Sequence, residues 1–141
     1  MAAGLLTHAF AAQPEPLRSL RIVSAGVAAR AGERVSENSV IALKKARIDI
    51  SGHRSQPLTQ EMLDEAFAVL CMTESHRSMI ELQAQPRPKN LFLFREFMPP
   101  GVNQEIGDPY GGALRHYETA RDEMVEALPS LLAALKARLP A

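Results

Sequence analysis

A chain of 141 residues has room for one domain and little more. Its 16 basic and 16 acidic side chains cancel, which argues against a general nucleic-acid binder, because phosphate affinity rests on Lys and Arg. One cysteine excludes an internal disulfide, a four-cysteine zinc site and a two-cysteine redox pair, and no apolar run is long enough for a transmembrane helix. The expectation is a soluble, reduced, cytoplasmic globule with no membrane partner.

The chain opens on small and apolar residues, and Ala9-Phe10-Ala11 superficially fits a secretory cleavage site. No Lys or Arg precedes Arg18, however, and Thr7 and His8 break the apolar stretch. An amphipathic helix is the better reading. Leu5, Leu6 and Phe10 share a face, and Pro14-Glu15-Pro16 stops it. Leu20-Arg21-Ile22-Val23 then reads as a short strand, followed by a glycine-containing loop to about Arg34. Ser36 is an N-cap for a helix through Val40, Ile41 and Leu43, with Lys44, Lys45 and Arg47 suited to its negative C-terminal end. Pro57-Leu58-Thr59 leads into a short helix holding Met62 and Leu63.

Phe67–Met72 is an unbroken apolar run of the kind a strand buried on both faces requires, and Asn90–Phe94 is another. Between them Thr73 caps a helix carrying Met79, Ile80 and Leu82. Met98–Gly112 is too rich in proline and glycine for anything but loop. From Leu114 to Leu139 apolar residues recur every three or four positions, which predicts one long helix, kinked or divided at Pro129. Strands alternating with helices predict an α/β domain, a parallel sheet between two helical layers. Three strands make a thin sheet, and the alternation places a missing strand upstream of Met1.

Chemistry concentrates in Gly107-Asp108-Pro109-Tyr110-Gly111-Gly112. A carboxylate on a glycine-rich loop, stiffened by proline, suits a general acid reaching for a leaving oxygen, with Tyr110 as a flat wall. The same residue types also make ordinary turns, and on composition alone that reading is the commoner one. Cys71-Met72-Thr73-Glu74-Ser75-His76-Arg77-Ser78 has the Cys-x5-Arg-Ser spacing of cysteine-dependent phosphatases, on a strand-to-helix turn. Against it, the turn has no glycine, Glu74 would oppose an anion, and Cys71 sits inside an apolar run. It reads as a core residue. Gly26 and Gly32 do not fit a nucleotide fingerprint. His8, His53, His76 and His116 lack metal-ligand spacing, and His53 reads as a loop-ordering hydrogen-bonder. The eight basic against three acidic residues between Arg18 and Arg54 mildly favour an anionic substrate, though a solvated face is the commoner cause.

Taken in order, Ser24-Ala25-Gly26-Val27, Asp49-Ile50-Ser51-Gly52-His53-Arg54-Ser55, Val69-Leu70-Cys71-Met72-Thr73, Gly107–Gly112 and Tyr117–Glu123 resemble the blocks of the low-molecular-weight protein-tyrosine phosphatases, including their bacterial protein-arginine phosphatase branch. The resemblance implies the three-layer α/β/α fold of that family over residues 1–141. It also implies Asp108 as catalytic acid, Tyr110 as the aromatic position beside the substrate, a phosphorylated protein as partner, and no metal or other cofactor. Family members carry their nucleophile in a Cys-x5-Arg-Ser-Pro loop followed by Met-Ala-x-x-Leu, and this sequence begins Met1-Ala2-Ala3-Gly4-Leu5. The resemblance therefore places the first strand, the nucleophilic cysteine and the phosphate-binding arginine before Met1. A start assigned at an internal methionine is preferred over a natural truncation, because an intact acid loop has little use without its nucleophile. Arsenate reductase, a related chemistry, would need more cysteines than Cys71. The expected activity is hydrolysis of phosphotyrosine or phosphoarginine through a phosphocysteine, with a non-catalytic binding module as the alternative.

Overall fold

A computed structural model describes residues 1–26 and 32–139; Val27 and most of the loop expected after it lie outside the described residues. Among the described residues five helices and two strands follow one another: α1 (Ala2–Ala11), α2 (Glu37–Lys45), α3 (Gln60–Glu65), β1 (Val69–Cys71), α4 (Glu74–Gln83), β2 (Leu91–Leu93) and α5 (Leu114–Arg138). A single 3-10 turn, Leu17–Ser19, follows α1 and buries Leu17. The helix starts are chemical. Ser36 Oγ accepts from the Ser39 N–H, Thr59 Oγ1 from Met62 and Thr73 Oγ1 from His76, each filling an otherwise orphaned donor. α2 ends with Arg47 in the left-handed region at φ +63°, while Ile48 N–H returns to Leu43 O and Arg47 N–H to Lys44 O. That doubly bonded cap normally takes glycine, so Arg47 is held there by its surroundings.

β1 and β2 pair in parallel, Val69 with Leu91, Leu70 with Phe92 and Cys71 with Leu93, and α4 is the crossover between them. Side chains alternate across this sheet. Leu70, Met72 and Phe94 join the larger core of α1, α2 and α5, built on Leu5, Leu43, Ala127 and Leu131. Val69, Cys71, Leu91 and Leu93 join the smaller core of α3 and α4, around Leu63 and Ile80. The protein is thus an α/β fold, its parallel sheet sandwiched between two helical layers.

Three expectations need correction. Leu20–Val23 forms no strand among the described residues. The segment is extended and its burial alternates, Leu20 and Ile22 half-covered and Arg21 and Val23 exposed, but no ladder joins it to β1 or β2. Its first pairing comes at Gly26, which bridges Pro57 in parallel. The two strands found are also shorter than their apolar runs, because a strand ends where its partner's backbone does. Finally, Pro129 does not divide α5, which runs unbroken through it. Proline removes only the bond to Val125 O, and Met124, Ala127, Leu131 and Leu135 are buried on either side of it.

Gly4 lies where α1 crosses the end of α2 and the segment after it. A Cβ there would fall 2.6 Å from Ile50 Cγ2 and 3.2 Å from Leu43 Cδ1.

Candidate active site

The loop that carries Asp108 is fixed at both ends. At its entrance Ile106 is 1% exposed and donates its N–H to Met72 O at 2.9 Å, tying the chain to the end of β1. Just upstream, the buried Arg95 donates from Nε to Asn103 O (2.9 Å) and from Nη1 to Glu123 O (2.8 Å), stapling the preceding loop to α5. Within the loop, Tyr110 N–H donates to Asp108 Oδ1 at 3.0 Å and Gly112 N–H to Pro109 O at 2.8 Å. Gly111 turns the chain at φ +79°, a conformation glycine adopts without strain. At the exit, Asn38 Nδ2 of α2 donates to Gly112 O at 3.3 Å, and Ala113 N–H donates to His116 Nδ1 at 3.2 Å.

The result is a rigid carboxylate facing solvent. Asp108 is exposed and Tyr110 is 83% exposed, and both stand on the wall of an open cleft of about 320 Å³. His116, Thr119 and Glu123 line its α5 side. An exposed acid on a fixed backbone, beside a flat aromatic surface, can hand a proton to a leaving group that enters the cleft.

A second, smaller depression of about 230 Å³ is lined by Ser24, Gly26, His53 and Gln56, and it shares no lining residue with the first. His53 Nε2 lies 3.1 Å from Ser24 Oγ, and Gln56 Nε2 donates to Ser24 O at 2.8 Å. Burial, with the N-terminal ammonium and the Arg54 cation adding to it, holds the His53 imidazole below its ordinary range. His53 thus orders the 24–26 segment by hydrogen bonding.

Cys71 belongs to neither place. It is 5% exposed in the smaller core, and burial pushes its thiol up to about 11 despite the Arg77 cation nearby. Arg77 is held between Glu74 and Glu96. The first free N–H of α4, that of Glu74, already donates to the Glu105 carboxylate at 2.7 Å. The Cys-x5-Arg-Ser match therefore has no thiolate, no free guanidinium and no vacant anion position. His116, Asn38 and Glu123 escaped the sequence reading. A signal existed for part of it: His116, Thr119, Ala120 and Glu123 lie at i, i+3, i+4 and i+7, one face of a helix opening beside the glycine loop.

A parallel α/β sheet with the Asp108 loop leading into its last helix is an arrangement this chain shares with proteins of known family. The family model "Low molecular weight phosphotyrosine protein phosphatase" matches residues 1–141, and the chain belongs to that family of protein phosphatases. It is 33% identical over 136 residues to the protein-arginine-phosphatase of Geobacillus stearothermophilus, covering 96% of this chain and 86% of the relative. Among solved structures it is similar to a YwlE arginine phosphatase, a cysteine-to-serine mutant with a phosphorylated active-site serine. That pair has a TM-score of 0.79 at 31% identity, covering 96% of this chain and 86% of the other. A low molecular weight protein tyrosine phosphatase from T. tengcongensis superposes with a TM-score of 0.80 at 30% identity, over 94% and 88% of the two chains.

Proposed function

We propose that this protein hydrolyses phosphate from phosphorylated protein side chains, with Asp108 as the general acid and base and Tyr110 as the wall against which the phosphorylated side chain lies. The observation that carries the reading is the exposed Asp108 carboxylate on a loop fixed at Ile106 and Gly112 and opening on the cleft. In the first step a thiolate attacks phosphorus, the bond from phosphorus to the leaving oxygen or nitrogen breaks, and Asp108 gives its proton to the leaving atom. In the second, Asp108 takes a proton from water, the water oxygen attacks phosphorus, and the sulfur–phosphorus bond breaks to release inorganic phosphate and the thiolate. The one cysteine of the 141 residues, Cys71, is buried in the smaller core and is not that thiolate. The setting is cytoplasmic, where a thiolate stays reduced. The relative's name makes phosphoarginine the first substrate to try and phosphotyrosine the second.

The test is Asp108→Ala in the protein translated from its full reading frame. Turnover falls by roughly 10²–10⁴, with the larger loss on leaving groups of high pKa. An unchanged rate on such a substrate refutes the assignment. A second reading rests on the burial of Cys71: if no in-frame Cys-x5-Arg-Ser-Pro precedes Met1, the chain is a phosphoprotein-binding module that releases no phosphate.

A further inference from the structure

We propose that neutral His116 is the positioning residue of the Asp108 loop, a latch that holds the loop only while Nδ1 carries a lone pair. This rests on the reading of Asp108 given above and adds to it what sets the acid in place. α5 starts at Ala113, whose methyl group cannot accept a hydrogen bond, so the helix has no N-cap side chain of its own. His116, three residues on, supplies the reverse bond that Glu or Gln makes in a capping box: its Nδ1 accepts the Ala113 N–H at 3.2 Å. The ring also backs the turn. A Cβ on Gly112 would fall 2.7 Å from His116 Nδ1 and 2.9 Å from Pro109 O, so glycine at 112 is what lets imidazole and loop close together. Asn38 of α2 holds the other side through Gly112 O, and its amide does not titrate.

An imidazolium has N–H at both ring nitrogens, so protonation sets a donor against the Ala113 donor and breaks the bond. The exit then keeps Asn38 on Gly112 O and the backbone bond from His116 N–H to Ala113 O, but loses the side-chain tie at Ala113 N–H, so the turn that carries Asp108, four residues before Gly112, is held less tightly. Asp108 and Tyr110 from the loop and Glu123 from α5 line the same cleft as His116. Loop shifts alone would therefore mix several titrations, and the imidazole's own resonances must define the midpoint.

The experiment is nuclear magnetic resonance on the full-length, nitrogen-15-labelled protein, and it reads no turnover, so it is decided independently of whether Asp108 is the acid. The neutral ring carries its proton on Nε2. The amides from Asp108 to Ala113 shift with the midpoint of the His116 ring. In His116→Ala the Ala113 amide exchanges with solvent about fivefold faster, the change a typical helix cap supports. His116→Gln restores protection and abolishes the pH step, because a Gln oxygen accepts at every pH. Gly112→Ala, which leaves His116 in the chain but displaces its ring, reproduces the faster exchange. A neutral ring protonated at Nδ1 overturns the proposal. So does loop titration at a different midpoint, or wild-type Ala113 exchange in His116→Ala and Gly112→Ala.

Discussion

Replacing Cys71 by serine separates the lure from the chemistry. The thiol is 5% exposed between Leu63, Ile80 and Leu93, and its pKa of about 11 leaves about one thiolate in ten thousand at pH 7. Serine keeps the size but places a hydroxyl in that apolar pocket, which costs about 1–3 kcal/mol. Each kcal/mol moves the Tm of a domain this size by about 3–5 °C, so a fall of several degrees is expected in a thermal melt. Phosphatase turnover at a temperature where both proteins are folded stays within about twofold, because no reacting group is lost. Titration with a thiol reagent on the native wild type is slow and becomes stoichiometric on unfolding. The pH dependence has a definite sign. Burial raises this pKa from 9.0 to about 11, so the unfolded chain gives up the proton first and stability falls as pH rises from 9 to 11. Cys71→Ser removes that fall. Fast labelling at neutral pH, or a loss of turnover of a thousandfold in folded Cys71→Ser, would refute the argument and make Cys71 the nucleophile.

Arg95→Met leaves Asn103 O without its donor and strips one from Glu123 O, which destabilises the protein by about 1–3 kcal/mol in a urea melt. Glu126→Gln, which touches the same arginine from an exposed carboxylate at 3.5 Å, costs well under that, and equal losses from the two would show that the charge pair rather than the staple matters. Leu131→Ala, at a position 0% exposed, lowers stability by about 2–5 kcal/mol, whereas Leu82→Ala, 84% exposed, stays within about 0.5 kcal/mol. A comparable loss at Leu82 would mean that α4 packs against something there.

What could be read from the residues followed from short-range physics. Ser36 and Thr73 announce their helices because a hydroxyl three residues before an orphaned N–H is a local fact. The apolar runs around β1 and β2 announce burial on both faces, and both faces are indeed covered. Apolarity cannot report a partner, however. Leu20–Val23 has the pattern of a strand and no ladder among the described residues, and Phe67 and Ala68 extend an apolar run beyond the pairing. At Pro129 the single long helix was legible, while division there was not found, Leu131 and Leu135 beyond the proline being buried. The Asp108 loop was legible as loop from its prolines and glycines. Its latch was not, although the bond from Ala113 to His116 is as local as the Ser36 and Thr73 caps, because neither Ala at the N-cap nor His at the third position is a usual capping-box residue. Cys71 carried both its motif and the apolar neighbours that disqualify it.

Gly4 has a consequence for anyone who would harden this protein. Trading a helical glycine for alanine is ordinarily a safe way to strengthen a helix, worth about 1 kcal/mol. In α1 that route is closed. The bare backbone at residue 4 is the seat into which Ile50 and Leu43 fit, and a methyl group would meet Ile50 Cγ2 at 2.6 Å. Isoleucine, branched at Cβ, has few rotamers through which to retreat. The helix would have to lift, and it would lift away from the segment that runs on from Ile50 to His53. Ile50 O accepts the His53 N–H at 2.9 Å, so the imidazole facing Ser24 is braced through the same contact. Intrinsic helix stability has been given up at this one position for a close fit, and designers should look for gains on the solvent side of α5 instead.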